Sequence, residues 1–175
     1  MTPSENIARD DAPIFLVGFM GAGKTTVGQA LARLLGFEFL DLDQSIEAQT
    51  GKTVSEIFRE LGESEFRRLE RDAILRCRDL RRAVIALGGG AYVSEENRRT
   101  LRGIGKTIWL DCPLEVCLSR IGGDQTRPLL GDRDRMATLL NERRETYEKA
   151  DYVIGSDQQT PGELAQKIMS LLGHC

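Results

Sequence analysis

Ile14-Phe15-Leu16-Val17-Gly18-Phe19-Met20-Gly21-Ala22-Gly23-Lys24-Thr25 is the stretch on which the reading of the chain turns. Its first four residues form an apolar run that reads as a buried strand, and Thr26 to Leu35 has helical periodicity. Between them stands a glycine, four free positions, then Gly-Lys-Thr, the pattern of a loop that binds polyphosphate. Glycines let the backbone curl closely around an anion, and successive N–H groups then point inward at the start of a helix whose dipole favours negative charge. Lys24 adds a mobile positive charge near the β- and γ-phosphates, and the Thr25 hydroxyl is placed to ligate Mg²⁺. The bland alternative is an accidental glycine-rich turn, and four specified positions in a strand–loop–helix setting disfavour it.

Outward from this loop, 175 residues make one ordinary domain, long enough to bury a full core without disulfides or structural metal. A net charge of −3 excludes a dominant polybasic surface for nucleic acid and an acidic tail. Arginine supplies most of the 24 basic residues, and its planar fork suits sites that grip phosphate or carboxylate. The four cysteines form no Cys-x-x-Cys pair and the only histidine is His174, so no metal-ligand cluster is expected and the thiols read as reduced. Residues 1–12 are polar and lack the apolar run of a signal peptide, and no window reaches the length of a membrane span. The expectation is a disordered tail over 1–12 followed by a single cytoplasmic domain over 13–175.

Along the chain, the first helix ends at Gly36, suited to a left-handed cap, and Phe37-Glu38-Phe39-Leu40 is a second strand. Gly28 within that helix costs about 1 kcal/mol against Ala in propensity, which points to close packing or to mere tolerance. Asp41-Leu42-Asp43 follows at the carboxyl end of the strand, where ligands sit in open α/β sheets. If this segment is extended, its two aspartates share a face. One could then hold the water shell of Mg²⁺ while the other accepts a proton or hydrogen bond from a hydroxyl that attacks the γ-phosphate. Alternatively, Asp43 is the N-cap of a helix starting near Gln44.

Residues 45–80 read as helical, with breaks at Thr50-Gly51 and near Gly62. Arg82 to Leu87 is a third strand running into Gly88-Gly89-Gly90, and three glycines after a buried strand mean that something approaches the backbone closely. Ser94 caps a helix through Leu101, and Thr107 to Leu110 is a fourth strand ending at Asp111, a rival to Asp41 as metal ligand. After a helix from Pro113 to Ile121, the segment from Gly122 to Gly131 reads as a glycine-hinged lid carrying Arg127. Such a lid could exclude water and bring positive charge to a transferring phosphoryl group. A helix over 134–150, a short strand over 152–154 and a terminal helix complete the chain, the last with Thr160 as N-cap, Pro161 at the first position and Glu163 closing a capping box.

Taken together, these elements look like the P-loop NTPase fold of the nucleoside-monophosphate-kinase-like type, an α/β fold with a five-stranded parallel sheet flanked by helices and a mobile lid. Within that fold, the sequence closely resembles the shikimate kinase family. The motifs that carry the resemblance are Gly-Phe-Met-Gly-Ala-Gly-Lys-Thr-Thr at 18–26, Asp-Leu-Asp at 41–43, Phe-Arg-Arg-Leu-Glu at 66–70, Leu-Gly-Gly-Gly-Ala at 87–91 and Thr-Arg-Pro-Leu-Leu at 126–130. They span about Pro13 to Leu171, nearly the whole chain.

The resemblance implies that ATP phosphorylates the 3-hydroxyl of shikimate, with Mg²⁺ as partner. It implies a nucleotide site of Gly21, Ala22, Gly23, Lys24, Thr25 and Thr26 with Arg120 and Arg127, a substrate-binding helical region over about 42–80 and a lid over about 122–135. Asp43 then contacts the accepting hydroxyls, Thr25 and Asp41 hold or orient Mg²⁺, and Arg67 and Arg143 clamp the shikimate carboxylate, a task suited to guanidinium. Gly88, Gly89 and Gly90 approach the ring, Arg120 lies at the adenine, and Lys24, Asp43 and Arg127 form the catalytic set. The chain departs from the family after the last strand, where Ser156-Asp157-Gln158-Gln159 lacks a basic residue at the adenine contact. Neighbouring Arg68 and Arg144 compete with Arg67 and Arg143, and register across the motifs favours the latter pair. The expected form is a monomer acting on small molecules, with neither nucleic acid nor membrane as partner.

Two alternatives stand beside this reading. A related small-molecule kinase, for gluconate or a nucleoside monophosphate, would share the loop and lid. A guanine-nucleotide switch would show Asn-Lys-x-Asp and Asp-x-x-Gly segments, and neither occurs in the sequence.

Overall fold

The computed structural model describes residues 11–121 and 133–173. Five parallel strands, β1 (Ile14–Val17), β2 (Glu38–Asp41), β3 (Ala83–Ala86), β4 (Lys106–Asp111) and β5 (Tyr152–Gly155), form one sheet in the order β2-β3-β1-β4-β5. Every residue of β1 and β3 is buried, as their unbroken apolar sequences require of strands covered on both faces. The edge strands β2 and β5 are more exposed. Register is set by pairs such as Phe15 with Ile85 and Phe15 with Thr107, which place Phe15 and Leu16 at the centre of the core.

Helix α1 (Lys24–Leu35) begins directly at the phosphate loop and ends on Gly36 with φ 65°, as its sequence predicted. It packs against the sheet and against the terminal helix α8 (Pro161–Leu171). Gly28 is where α1 meets the strands: a Cβ there would lie 2.5 Å from the Phe39 ring and 3.2 Å from Leu16 Cδ1. Overpacking of that kind costs about 1–3 kcal/mol, more than the helix propensity that alanine would add, so close packing explains this glycine.

The helical region after β2 comprises α2 (Leu42–Thr50), α3 (Val54–Leu61) and α4 (Glu63–Arg76), broken at Gly51 and Gly62 where the sequence indicated. Helix α5 (Glu95–Arg102) carries its Ser94 cap, and α8 carries the full Thr160–Glu163 capping box. Helices α6 (Leu114–Ile121) and α7 (Arg133–Tyr147) flank the segment read as a lid. Most of that segment, with Arg127, lies outside the described residues, while Arg133 to Arg135 are the first turn of α7. Of the predicted N-terminal tail, residues 1–10 lie outside the described residues; Asp11 accepts the Arg82 N–H through its carbonyl at 2.8 Å.

Parallel strands linked by helical crossovers all point their carboxyl ends the same way. Gly18, Asp41, Gly88, Asp111 and Ser156 therefore open onto one rim of the sheet, although they are far apart in sequence.

Candidate active site

In the phosphate loop, Gly18, Gly21 and Gly23 all take positive φ, and a Cβ at Gly21 would lie 2.6 Å from the Cys117 carbonyl oxygen. Glycine is required at that position for space as well as for conformation. Lys24 donates from Nζ to the carbonyls of Gly18 at 2.9 Å and Phe19 at 2.8 Å, which draws its ammonium over the loop.

The Thr25 hydroxyl donates to Asp41 Oδ2 at 2.9 Å, uniting the two groups expected at a magnesium ion. Asp41 Oδ1 accepts the Gln44 N–H at 3.2 Å, so Asp41 is the N-cap of α2. This corrects two readings. The Asp-Leu-Asp segment is not extended, because the helix begins at Leu42, and Asp43 is not the cap but a residue of the first helical turn. The rival Asp111 is engaged elsewhere, taking a hydrogen bond from Arg144 Nη2 at 2.8 Å.

A hydroxyl and a carboxylate are hard oxygen donors, as Mg²⁺ prefers, and that ion commonly takes only one or two protein ligands and fills its octahedron with water and phosphate. Thr25 and Asp41 fit this requirement. No cluster of three or more His, Cys, Asp or Glu side chains able to enclose a metal occurs among the described residues.

The triple glycine organises the other half of the site. A Cβ at Gly88 would lie 2.7 Å from Asp43 Oδ1, one at Gly89 3.5 Å from Arg143 Nη1, and one at Gly90 2.6 Å from Arg67 Nη2. Three residues from α2, α7 and α4 thus converge on three consecutive glycines at the end of β3. Arg68, by contrast, pairs with Glu65 and Asp72 on the exposed side of α4, and Arg144 pairs with Asp111, so the expected members of both arginine pairs face the cradle.

Two residues given no role from sequence complete this half. Glu70 is 1% exposed and accepts twice from Arg67 Nη1, at 2.9 and 3.1 Å. Burial pushes its carboxyl above the ordinary glutamate range; Arg67 opposes that shift and the charge of Asp43 adds to it. The signal was available in sequence, since Phe66, Leu69, Glu70 and Ala73 lie on one helical face. Tyr147, one turn beyond Arg143, is buried and donates its hydroxyl to the Gly89 carbonyl at 2.5 Å. Burial raises its pKa, keeping the phenol protonated as the donor.

The Glu70 shift makes a prediction. An acid whose native pKa lies above its unfolded value binds its proton more tightly when folded, so the stability it contributes is present at low pH and lost as pH rises through the raised value. At pH 7, Glu70→Gln is expected to leave Tm equal or higher, and to raise the KM of the substrate held by Arg67 by about tenfold because that guanidinium loses its anchor. A substantial fall in Tm with an unchanged KM would overturn this account.

At the opposite end of the phosphate loop, Arg120 Nη1 donates to the Gly21 carbonyl at 3.3 Å and Nη2 to the Ser156 carbonyl at 3.4 Å. A cleft of about 220 Å³ opens here between the loop, Thr26 and Val27 of α1, Arg120, and Gln159, Pro161 and Leu164 beyond β5. No adenine contact after β5 is legible in the sequence, because nothing local distinguishes Gln159 from its polar neighbours. The buried Gln159 Oε1 accepts no hydrogen bond among the described residues.

Comparison with known proteins places this geometry in context. The family model described as shikimate kinase matches residues 20–173. A shikimate kinase of Persephonella marina is 44% identical over 157 residues, covering 89% of this chain and 96% of its own. One from Moorella thermoacetica is 44% identical over 161 residues, covering 91% and 93%. The solved structure of shikimate kinase from Acinetobacter baumannii in complex with shikimate superposes with a TM-score of 0.89 at 41% identity, covering 97% of each chain.

Proposed function

Because the chain belongs to the shikimate kinase family, whose ATP-dependent phosphorylation of shikimate is its activity, we propose that the glycine cradle and the phosphate loop divide the two substrates between them. The observation that carries this is the convergence of Asp43, Arg143 and Arg67 on Gly88, Gly89 and Gly90. Two guanidinium groups suit the shikimate carboxylate, and a carboxylate beside them suits its hydroxyls.

In this reading the 3-hydroxyl attacks the γ-phosphorus. A new O–P bond forms, the bond to the β–γ bridging oxygen breaks with its electron pair leaving on ADP, and the hydroxyl proton passes to Asp43 and then to solvent. Lys24, with Arg127 as the matching lid residue, spreads the negative charge that develops on the phosphoryl oxygens. Thr25 and Asp41 would hold Mg²⁺, which supplies charge neutralisation between the β- and γ-phosphates when bound. The adenine would lie in the cleft between Arg120 and Pro161, with Gln159 Oε1 as acceptor for its exocyclic amine. The protein would act as a monomer in the cytoplasm; no helix among the described residues is long and apolar enough to cross a membrane.

The test is ADP release from MgATP with and without shikimate, in the parent chain and in Arg67→Ala and Arg143→Ala. Each substitution removes charge-assisted hydrogen bonds of about 1.5–3 kcal/mol, so KM for shikimate should rise about 10- to 150-fold while KM for ATP changes little. An unchanged shikimate KM in both variants would refute the carboxylate clamp.

A further inference from the structure

A polar pocket of about 300 Å³ is lined by Glu95, Arg98, Arg99, Arg102 and Lys149, and Arg98 reaches from it to the turn that follows the glycine cradle. Four cations face one carboxylate there, in a chain whose net charge is −3. Arg99 is paired with Glu95 at 3.3 Å, whereas Arg98, Arg102 and Lys149 form no ion pair among the described residues.

Arg98 is the unusual member. The residue is only 9% exposed, and Nη1 donates to the carbonyls of Tyr92 at 2.8 Å and Val93 at 2.6 Å. Two neutral carbonyls satisfy donors but not charge, and a buried guanidinium without a counter-ion is held at a cost that a bound anion would offset. Its Nη2 and Nε make no hydrogen bond among the described residues, and Arg102 lies one helical turn away on the same face of α5.

We propose that this pocket binds a small phosphate-bearing anion, with Arg98 and Arg102 as guanidinium forks and Lys149 as a point charge. A tetrahedral dianion offers enough oxygen acceptors for converging donors and matches the local excess of positive charge better than a monocarboxylate. The volume exceeds that of inorganic phosphate and leaves room for the body of a small monoester.

The pocket is joined to the substrate cradle through the backbone. Arg98 grips the 3-10 turn Ala91–Val93, which follows Gly90 directly, and Asn97 Nδ2 donates to the Ala91 carbonyl at 2.9 Å. The Tyr92 hydroxyl donates to the Lys149 carbonyl at 3.1 Å, two residues beyond Tyr147, which itself holds Gly89. An anion drawing Arg98 and Lys149 together therefore steadies the turn that carries the glycines, and lowers KM for shikimate. This coupling rests on the substrate reading above; the binding itself does not.

The experiment uses the full chain saturated with shikimate and the magnesium complex of a non-hydrolysable ATP analogue, so that the phosphate loop is filled. Inorganic phosphate, glycerol 3-phosphate and malonate are titrated calorimetrically at constant ionic strength. Saturable one-site binding of either phosphate compound, weakened at least about tenfold in Arg102→Gln/Lys149→Gln and about tenfold tighter than malonate, is expected. Preference between the two phosphate compounds distinguishes the free ion from a monoester. Absence of saturable binding, or equal binding by the double variant, overturns the site, and malonate binding as tight as phosphate overturns the assignment to phosphate. In steady-state assays the tighter phosphate compound should lower KM for shikimate about twofold in the parent chain only, with kcat unchanged. Binding without that change refutes the coupling, whereas failure to turn over shikimate refutes the substrate reading and leaves the titration of the site interpretable.

Discussion

Asp43→Asn is expected to lower kcat by about 10²–10⁴-fold, the range contributed by a positioned general base. The substitution is nearly isosteric, so the side chain keeps its place against Gly88 while losing the capacity to take a proton. Affinity for the nucleotide should change less than about twofold, because the substitution retains the bonds from Lys24 to the Gly18 and Phe19 carbonyls and from Thr25 to Asp41. The measurement is single-turnover phosphoryl transfer beside calorimetric titration of ADP. A kcat within about fivefold of the parent would reduce Asp43 to a binding group and leave proton transfer to solvent.

Gly88→Ala tests position where the first variant tests chemistry. The backbone at Gly88 lies outside the positive-φ region, so alanine is conformationally acceptable there, yet its Cβ would lie 2.7 Å from Asp43 Oδ1 and 3.2 Å from Oδ2. The short aspartate side chain can relieve that contact only by turning away from the cradle. A displacement approaching 1 Å costs about 10²-fold in rate, so kcat should fall by about that factor with the ionisable group intact. Thermal stability should change little, since the crowded atoms lie at the rim of the sheet and not in its centre. A normal kcat in this variant would mean that the cradle tolerates a methyl group and that the triple glycine serves the ligand alone.

Much of this molecule was legible before any coordinates. The strand–loop–helix at Ile14 to Leu35, the glycine cap at Gly36, the helix break at Gly51 and the capping box at Thr160 depend on interactions within a few residues, and local sequence specifies such interactions directly. The resemblance likewise implied Asp43, Arg67, Arg143 and the glycines, although not how they meet. The Asp-Leu-Asp segment was misjudged because alternation alone cannot tell a strand end from the first turn of a helix. Asp41 caps that helix and hands the inward position to Asp43 by geometry that only the turn reveals.

By itself, the sequence determined the phosphate loop, the order of elements and the family. The tertiary structure decided that Asp41 and not Asp111 joins Thr25, that Glu70 is buried beneath Arg67, that Tyr147 holds Gly89, and that Arg98, Arg102 and Lys149, which form no ion pair among the described residues, line one pocket. The physical reason is the strand order β2-β3-β1-β4-β5: pairing β3 between β1 and β2 brings α2, α4 and α7 to one rim. Such non-local pairing is set by how the whole core packs, which no short stretch of sequence encodes.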